Sequence, residues 1–409
     1  MFRRQAQIVA SLTRAIGSRH LSLVEEAVQD ALVRALQQWP YRGLPDDPAA
    51  WLHRVARNRA LDRLRHQRIV DARAAAVLAS SEASSVIAPS ARLPREPRLD
   101  DDQLGMMFVT CHPVLSPEAR VALTLKVVGG FSVGEIARAF LADERTVAQR
   151  LVRAKKLLRQ RNVPFGPPGP RDVVARLDSV LEAVYLLFNE GYAATAGDRL
   201  IRDDISGEAI RLAALLTRDS STALPRTWAL LSLQLLHAAR FPARVSSDGE
   251  LYLLRDQDRS KWDAALIAEG LRALDRSAAG VDVSAYHLRA EIAACHAVAS
   301  HWRETDWPRI ADCYRGLERL TGSPLVTLNR VIAESQIECS AARIAELEAL
   351  VDHPRLHAYH LLPAVLAELW REAGDRHRAA AHYQRAHALA GALPEQRFLA
   401  ARLISLGQL

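Results

Sequence analysis

Residues 116–161 read SPEARVALTLKVVGGFSVGEIARAFLADERTVAQRLVRAKKLLRQR. The spacing predicts a short apolar-periodic helix over 132–140, a turn at 141–142, and a second helix that Asp143 caps and that runs to about Gln160. On that second helix Val147, Leu151, Ala154 and Leu158 recur at intervals of four, three and four, which is one buried stripe. Arg145, Gln149, Arg153 and Lys156 project from the other side. A helix-turn-helix whose second helix carries an apolar stripe and a basic face is the layout that offers side chains to a DNA major groove.

Working outward, charge separates the chain into unlike parts. Residues 1–65 carry a net +5 and residues 113–161 a net +6, while 66–112 carry −1 and 162–409 carry −3. The overall +7 therefore belongs to two small N-terminal stretches, the electrostatic footprint of a polyanion partner touched at two places. A chain of 409 residues suits several domains and an all-α fold, because nearly every segment has helical periodicity and strand-like alternation is almost absent. The Ala-, Leu- and Arg-rich composition favours helices in the same way. No apolar run approaches the length of a membrane span, and 1–20 lack the apolar core of a signal peptide, so a cytoplasmic location is expected. Cys111, Cys295, Cys313 and Cys339 are scattered, without metal-ligand spacing, and read as reduced thiols. No nucleotide loop, metal cluster or nucleophile elbow is present, so neither a catalytic site nor a cofactor is expected.

The breakers set the organisation. Residues 81–99 are Ser- and Pro-rich without periodicity, and VPFGPPGP at 163–170 is a second interruption. The expected division is a module at 1–66, a linker at 67–99, a module at 100–161, a Pro/Gly linker at 162–170 and a helical region at 171–409. In the first module, helix 22–39 places Leu23, Ala27, Ala31 and Ala35 on one stripe with Leu32, Leu36 and Trp39 beside it. Glu25, Glu26, Gln29 and Asp30 lie off that stripe. After a loop of turn formers, Asp47-Pro48 opens a basic helix carrying Trp51, Arg54, Arg57, Asn58, Arg59, Arg63 and Arg65. Arginines beside an aromatic suit opened DNA, holding phosphates while a base stacks. Taken alone, Trp51 reads as a core residue before a stacking platform.

EEAVQDALVRALQQW and DPAAWLHRVARNRALDRLR together resemble region 2 of bacterial sigma factors of the extracytoplasmic-function (ECF) type, and 113–161 resemble their region 4. YLLFNEGYAAT at 185–195 and LLRDQDRSKWD at 253–263 look like the long ECF subgroup with a C-terminal extension. The resemblance implies a protein that binds core RNA polymerase, at its β′ and β subunits, and directs promoter-specific initiation without chemistry of its own. It assigns polymerase contact to Glu26, Gln29, Asp30 and Arg34. Melted −10 DNA falls to the loop 41–47 and to Trp51, Arg54, Arg57, Asn58 and Arg59. Duplex −35 DNA falls to Arg145, Thr146, Gln149, Arg150, Arg153 and Lys155. Arg and Gln can each read base edges, and spacing alone does not say which of these touch bases. A one-component DNA-binding regulator is the alternative, but it leaves the 1–66 module unexplained.

The final segment 366–390 has Gly374-Asp375 at a helix–helix turn followed by Ala379, Tyr383 and Ala386, a tetratricopeptide-like pattern. Stepping back by the repeat length gives a weaker copy with Ala333, a turn near Cys339-Ser340, Ala345 and Ala349. The region 171–409 is thus expected to be a helical array that modulates the two modules, open to an unknown regulator. The polar motifs 188–192 and 256–260 are expected to supply caps, turns and buried pairs, or a face toward the modules.

Overall fold

The computed structural model describes residues 2–78, 99–139, 142–165, 170–192, 203–246, 251–338, 340–391 and 393–407. The helices in chain order are α1 (Phe2–Ile16), α2 (Leu21–Arg42), α3 (Pro48–Leu78), α4 (Leu99–Thr110), α5 (Pro117–Val127), α6 (Val133–Ala139), α7 (Glu144–Gln160), α8 (Pro170–Tyr192), α9 (Asp203–Leu216) and α10 (Pro225–Ala238). They continue as α11 (Phe241–Arg244), α12 (Ala264–Ser277), α13 (Ala285–Val298), α14 (Trp307–Thr321), α15 (Pro324–Ile337), α16 (Ala341–Glu348), α17 (Leu361–Glu372), α18 (Arg376–Leu389) and α19 (Leu393–Ser405). Among the described residues the only β pairing is an isolated bridge between Val245 and Leu251. The chain is all-α, as its periodicity predicts. Two compact units divide between residues 183 and 184, inside α8.

In the first unit α2 packs along α3 through Leu21, Val24, Ala27, Val28, Ala31 and Ala35, with Leu52, Ala56 and Ala60 buried on α3. Ala27, Ala31 and Ala35 of the expected stripe are buried as read, and only its leucines are corrected. Val24 and Val28 carry the seam, Leu23 and Leu32 are half-buried, and Leu36 is 66% exposed. The alanines explain this, since they let the two helix backbones approach and leave bulky leucines only the flanks. The linker expected to begin at residue 67 is corrected at its start, since the basic helix opened by Asp47-Pro48 continues as one α3 to Leu78. Most of the expected linker, 79–98, lies outside the described residues, as do residue 140 at the end of the predicted first helix and residue 141 of the predicted turn.

The stretches 1–66 and 100–161 belong to one packed body. α1 lies against α4, where Arg14 Nη1 meets Asp102 Oδ1 at 3.0 Å. Met106, Met107, Leu123, Leu125, Ile136 and Leu158 fill the core of the second stretch. Below them Thr110 and Thr124 share a hydroxyl hydrogen bond of 2.6 Å. Cys111 is a buried free thiol beside Thr124, pushed up to about 11 by burial. The N-terminal half of α8 closes the unit, with Arg176 Nη1 donating to Phe108 O at 3.1 Å.

In the second unit α10 is buried nearly all round, from Ala229 to Leu236, against α9, α12 and α13. Successive pairs then stack on their neighbours, α13 on α14, α14 on α15, and α17 on α18. The expected turn at Gly374-Asp375 joins α17 to α18. Gly374 has φ +87°, Asp375 caps the Arg378 N–H at 3.0 Å, and Ala379, Tyr383 and Ala386 are fully buried. The weaker upstream copy is corrected: Ala333 is buried, but Ala345 and Ala349 are exposed while Ile344 and Leu347 fill the core. α16 is only eight residues long, and its apolar face follows the branched residues instead of the alanines a full repeat would use.

Candidate nucleic-acid interface

α7 begins as its sequence requires. The Asp143 carboxylate accepts from Arg145 N at 2.9 Å and Thr146 N at 3.2 Å, which satisfies two of the free N–H groups of the first turn. Val147, Leu151, Ala154 and Leu158 are all buried, the expected stripe without change. Burying a Val or Leu stabilises by roughly 1.5–3 kcal/mol each, enough to hold the helix register rigidly. That register leaves Arg145, Thr146, Gln149 and Arg153 exposed and Arg150 half-buried. Thr146, Gln149, Arg150 and Arg153 line one cleft of about 350 Å³ with Leu115, Ser116 and Ala119 at the start of α5. The Ser116 side chain caps α5, accepting from Ala119 N at 3.3 Å. A helix N-terminus with its positive dipole end therefore sits beside the basic face of α7.

Lys155 lies elsewhere. Its ammonium donates to Glu25 Oε2 on α2 at 2.8 Å, and both side chains are about one-fifth exposed. The pair sits in a large polar cleft of about 1480 Å³ inside the first unit, where Lys156, Arg159 and Lys126 face Glu26, Gln29, Asp30 and Asp62. Ser18 donates to Val163 O, so the chain leaving α7 is tied to the turn before α2.

On α2, Glu26, Gln29 and Arg34 are exposed and Asp30 is half-buried. Two arginines of α3 cross to this face. Arg59 Nε donates to Asp30 at 3.1 Å, and Arg63 bonds both Asp30, at 2.8 Å, and Glu26. The structure thus joins Arg59, a −10 candidate, to Asp30, a polymerase candidate. Arg63, Glu25 and Arg159 were missed as members of this surface. A readable signal existed for Arg63: Glu26/Asp30 and Arg59/Arg63 are i,i+4 pairs of opposite charge on consecutive helices.

The other α3 candidates stay at the surface. Arg54 and Asn58 are exposed and Arg57 is half-buried. Trp51 packs edge-to-face on Trp39, ring centroids 5.5 Å apart, and remains half-buried, so it is both wall and accessible ring. Asp47 caps α3 through Ala49 N and Ala50 N, both at 2.9 Å. The loop expected at 41–47 is shorter, because α2 runs on to Arg42: its last turn presents Tyr41 at 90% exposure and the loop presents Leu44 at 73%, apolar groups left uncovered among the described residues. His53, beside Arg57, titrates below its ordinary range because it is partly buried and because Arg57 repels a second positive charge.

In the second unit, Asp258 caps the short turn before Trp262, accepting from Ser260 N at 3.0 Å and Ser260 Oγ at 2.6 Å. Arg259 donates to the carbonyls of His296 and Ala299 at the end of α13. Caps and turns are thus what 256–260 supply. Among the described residues no group of three or more His, Cys, Asp or Glu is arranged to hold a metal ion. Among the described residues no helix is long and apolar enough to cross a membrane.

Three family models match the chain. Sigma-70 region 2 covers residues 1–69, sigma-70 region 4 covers 105–158, and a family of unknown function (DUF6596) covers 176–278. An uncharacterized protein of Rhizobium meliloti (strain 1021) is 38% identical over 406 residues, spanning 97% of this chain and 94% of its own length. No solved structure matches.

Proposed function

Since the chain belongs to the sigma-70 family, as an ECF-like member with a C-terminal extension, we propose that it binds core RNA polymerase and directs initiation at promoters with defined −35 and −10 elements. Its region 2 and region 4 give it a role in promoter recognition and imply polymerase and promoter DNA as partners. The finer assignments are these. Glu26, Gln29, Asp30 and Arg34 meet the polymerase β′ subunit, with β engaged elsewhere on the modules. Trp51, Arg54, Arg57, Asn58 and Arg59 hold melted −10 DNA, together with exposed Tyr41 at the end of α2 and Leu44 in the loop that follows. Arg145, Thr146, Gln149, Arg150 and Arg153 read duplex −35 DNA, and Lys155 adds a phosphate contact once released from Glu25. The extension from residue 184 modulates these activities.

The observation that carries the reading is the pair of basic faces on two matched modules of one chain. A duplex-binding regulator needs the α7 cleft, but it has no use for an exposed tyrosine and leucine at the turn that leads into the arginine-bearing α3. The test is in vitro transcription with core polymerase, this protein and a candidate promoter. A discrete start that depends on the protein is expected. If duplex DNA is bound tightly but no specific start appears, the chain is a DNA-binding regulator instead.

A further inference from the structure

The second unit gathers three arginines, two histidines and a tryptophan that promoter recognition does not use. Arg240 and Arg244 are 8% and 7% exposed, so each guanidinium is almost wholly withdrawn from water. Among the described residues neither meets a carboxylate. Arg240 has one long hydrogen bond, Nε to Gln257 Oε1 at 3.4 Å, and lies 5.5 Å from the Trp262 ring centroid. Arg244 donates to Tyr192 O and lies 3.8 Å over the Tyr192 ring. Arg259 also lies over Trp262, 4.7 Å from its ring centroid, with its nitrogens on backbone carbonyls and Thr305.

Taking unpaired charges out of water costs several kcal/mol per ion, and neutral partners return only part of that. Three buried donors or ring nitrogens nearby also lack a partner among the described residues: Trp262 Nε1, His237 Nδ1 and His296 Nδ1. Trp262 Nε1–H can only donate. His237 stands 4.9 Å from Tyr192, centroid to centroid.

The electrostatics agree. Burial, then Arg240 and Arg259, hold His296 down to about 3, and burial with Arg240 and Arg244 holds His237 well below its usual range. Burial alone would raise the Tyr192 phenol, yet Arg240 and Arg244 outweigh it and bring it down. Among the described residues the carboxylate whose charge reaches Arg244 is Glu395, itself 3.3 Å from His360.

We propose that Arg240, Arg244, Trp262 and His237 form a binding site for a compact oxyanion. A single anionic group would balance the excess charge and accept from the orphaned Trp262 N–H and the free edge of Arg240. An arginine fork suits planar carboxylates and tetrahedral phosphates alike. The site lies between the two polar motifs of the extension: Tyr192 closes one, and Gln257 and Arg259 belong to the other.

The test titrates the full chain with inorganic phosphate, and separately with acetate, at constant ionic strength set by chloride. A saturable rise in melting midpoint is expected with the matching anion, and the two arms tell phosphate from carboxylate chemistry. Arg240→Met keeps the side-chain bulk and should weaken binding roughly tenfold or more, the loss of a charge-assisted hydrogen bond. Trp262→Phe should weaken it less. Arg276→Met, which removes an arginine stacked on Trp228 outside the cluster, should leave it unchanged. Because Arg240→Met could impair folding, the wild-type chain gives a second readout: bound anion should raise the His237 and His296 titration midpoints measured by NMR. Equal effects in wild type and Arg240→Met, or histidine midpoints unmoved by either anion, would overturn the proposal. So would strong tyrosinate absorbance at neutral pH, which would make Tyr192 itself the counter-charge.

Discussion

At the scale of single residues, the buried histidine of α13 makes the second unit acid-sensitive. His296 stacks on Trp302, 6.2 Å between centroids, and meets Trp307 edge-on, so its ring is part of an aromatic cluster. The charged groups facing it are Arg240 and Arg259, with neutral His237 beside them. Its midpoint falls from 6.5 to about 3 on folding, chiefly through burial. The fold therefore favours the neutral ring. Its contribution to stability is complete above pH 6.5 and is lost as the pH falls from there toward 3. Carboxylates release their own contributions mainly below pH 5, so the interval from pH 7 to pH 5 isolates the histidines. The melting midpoint of the full chain in phosphate-free buffer should drop across that interval. His296→Phe, which keeps a ring between the tryptophans, should drop less. Parallel curves for the two proteins would remove His296 as the source.

At the scale of elements, α12 shows packing overruling propensity. A glycine inside a helix usually costs about 1 kcal/mol relative to alanine. Gly270 lies where α12 crosses α10, and a Cβ there would stand 2.8 Å from Leu236 Cγ and 3.4 Å from Leu235 Cβ. Overpacking of this kind costs roughly 1–3 kcal/mol, so Gly270→Ala should destabilise despite the better helix former. A denaturant midpoint at or above wild type would show that Leu236 can move aside. The same contrast explains what the sequence made legible. Whereas the turn of Lys155 toward Glu25 on α2 was not readable, the cap and stripe of α7 and the exposure of Arg145, Gln149 and Arg153 were, because they are local to one helix. The turn at Gly374-Asp375 was readable for the same reason. On α2 the stripe of Ala27, Ala31 and Ala35 was readable, but Val24 takes the buried place expected of Leu23, a choice made by alanines on α3 that periodicity within α2 does not see. Ala345 and Ala349 misled because a repeat length transfers register only where the helix is long enough to use it. The ion pairs of Arg59 and Arg63 with Asp30 and Glu26 were recoverable in principle, as complementary i,i+4 charges. The buried arginine cluster was not, since its members come from 240, 244 and 259 and converge only through tertiary packing.

At the scale of the molecule, the positive charge that marks the promoter-binding half is partly turned inward. The sequence suggested two basic modules on a flexible tether, each free to meet DNA. In the first unit they instead rest on one another through Arg14–Asp102, Ser18–Val163 O and Lys155–Glu25. Of the −35 candidates, Lys155 alone is engaged this way, while Thr146, Gln149, Arg150 and Arg153 share a separate open cleft. A fully exposed ion pair would be worth little, but this one is about four-fifths enclosed, so Glu25 competes with a DNA phosphate for the same ammonium. Releasing Lys155 should then add one phosphate contact. Glu25→Gln should raise affinity for duplex −35 DNA most at low salt, and should steepen the dependence of log K on log salt by about 0.9, the value for one extra phosphate neutralised. Lys155→Gln should lower affinity and make the Glu25 substitution silent, because both act through one bond. The measurement is a salt series of binding isotherms on a −35 duplex with all three proteins and the double variant. A Glu25→Gln slope equal to that of wild type would mean that Lys155 never reaches the DNA, and that its pairing with Glu25 serves only to hold the two modules together.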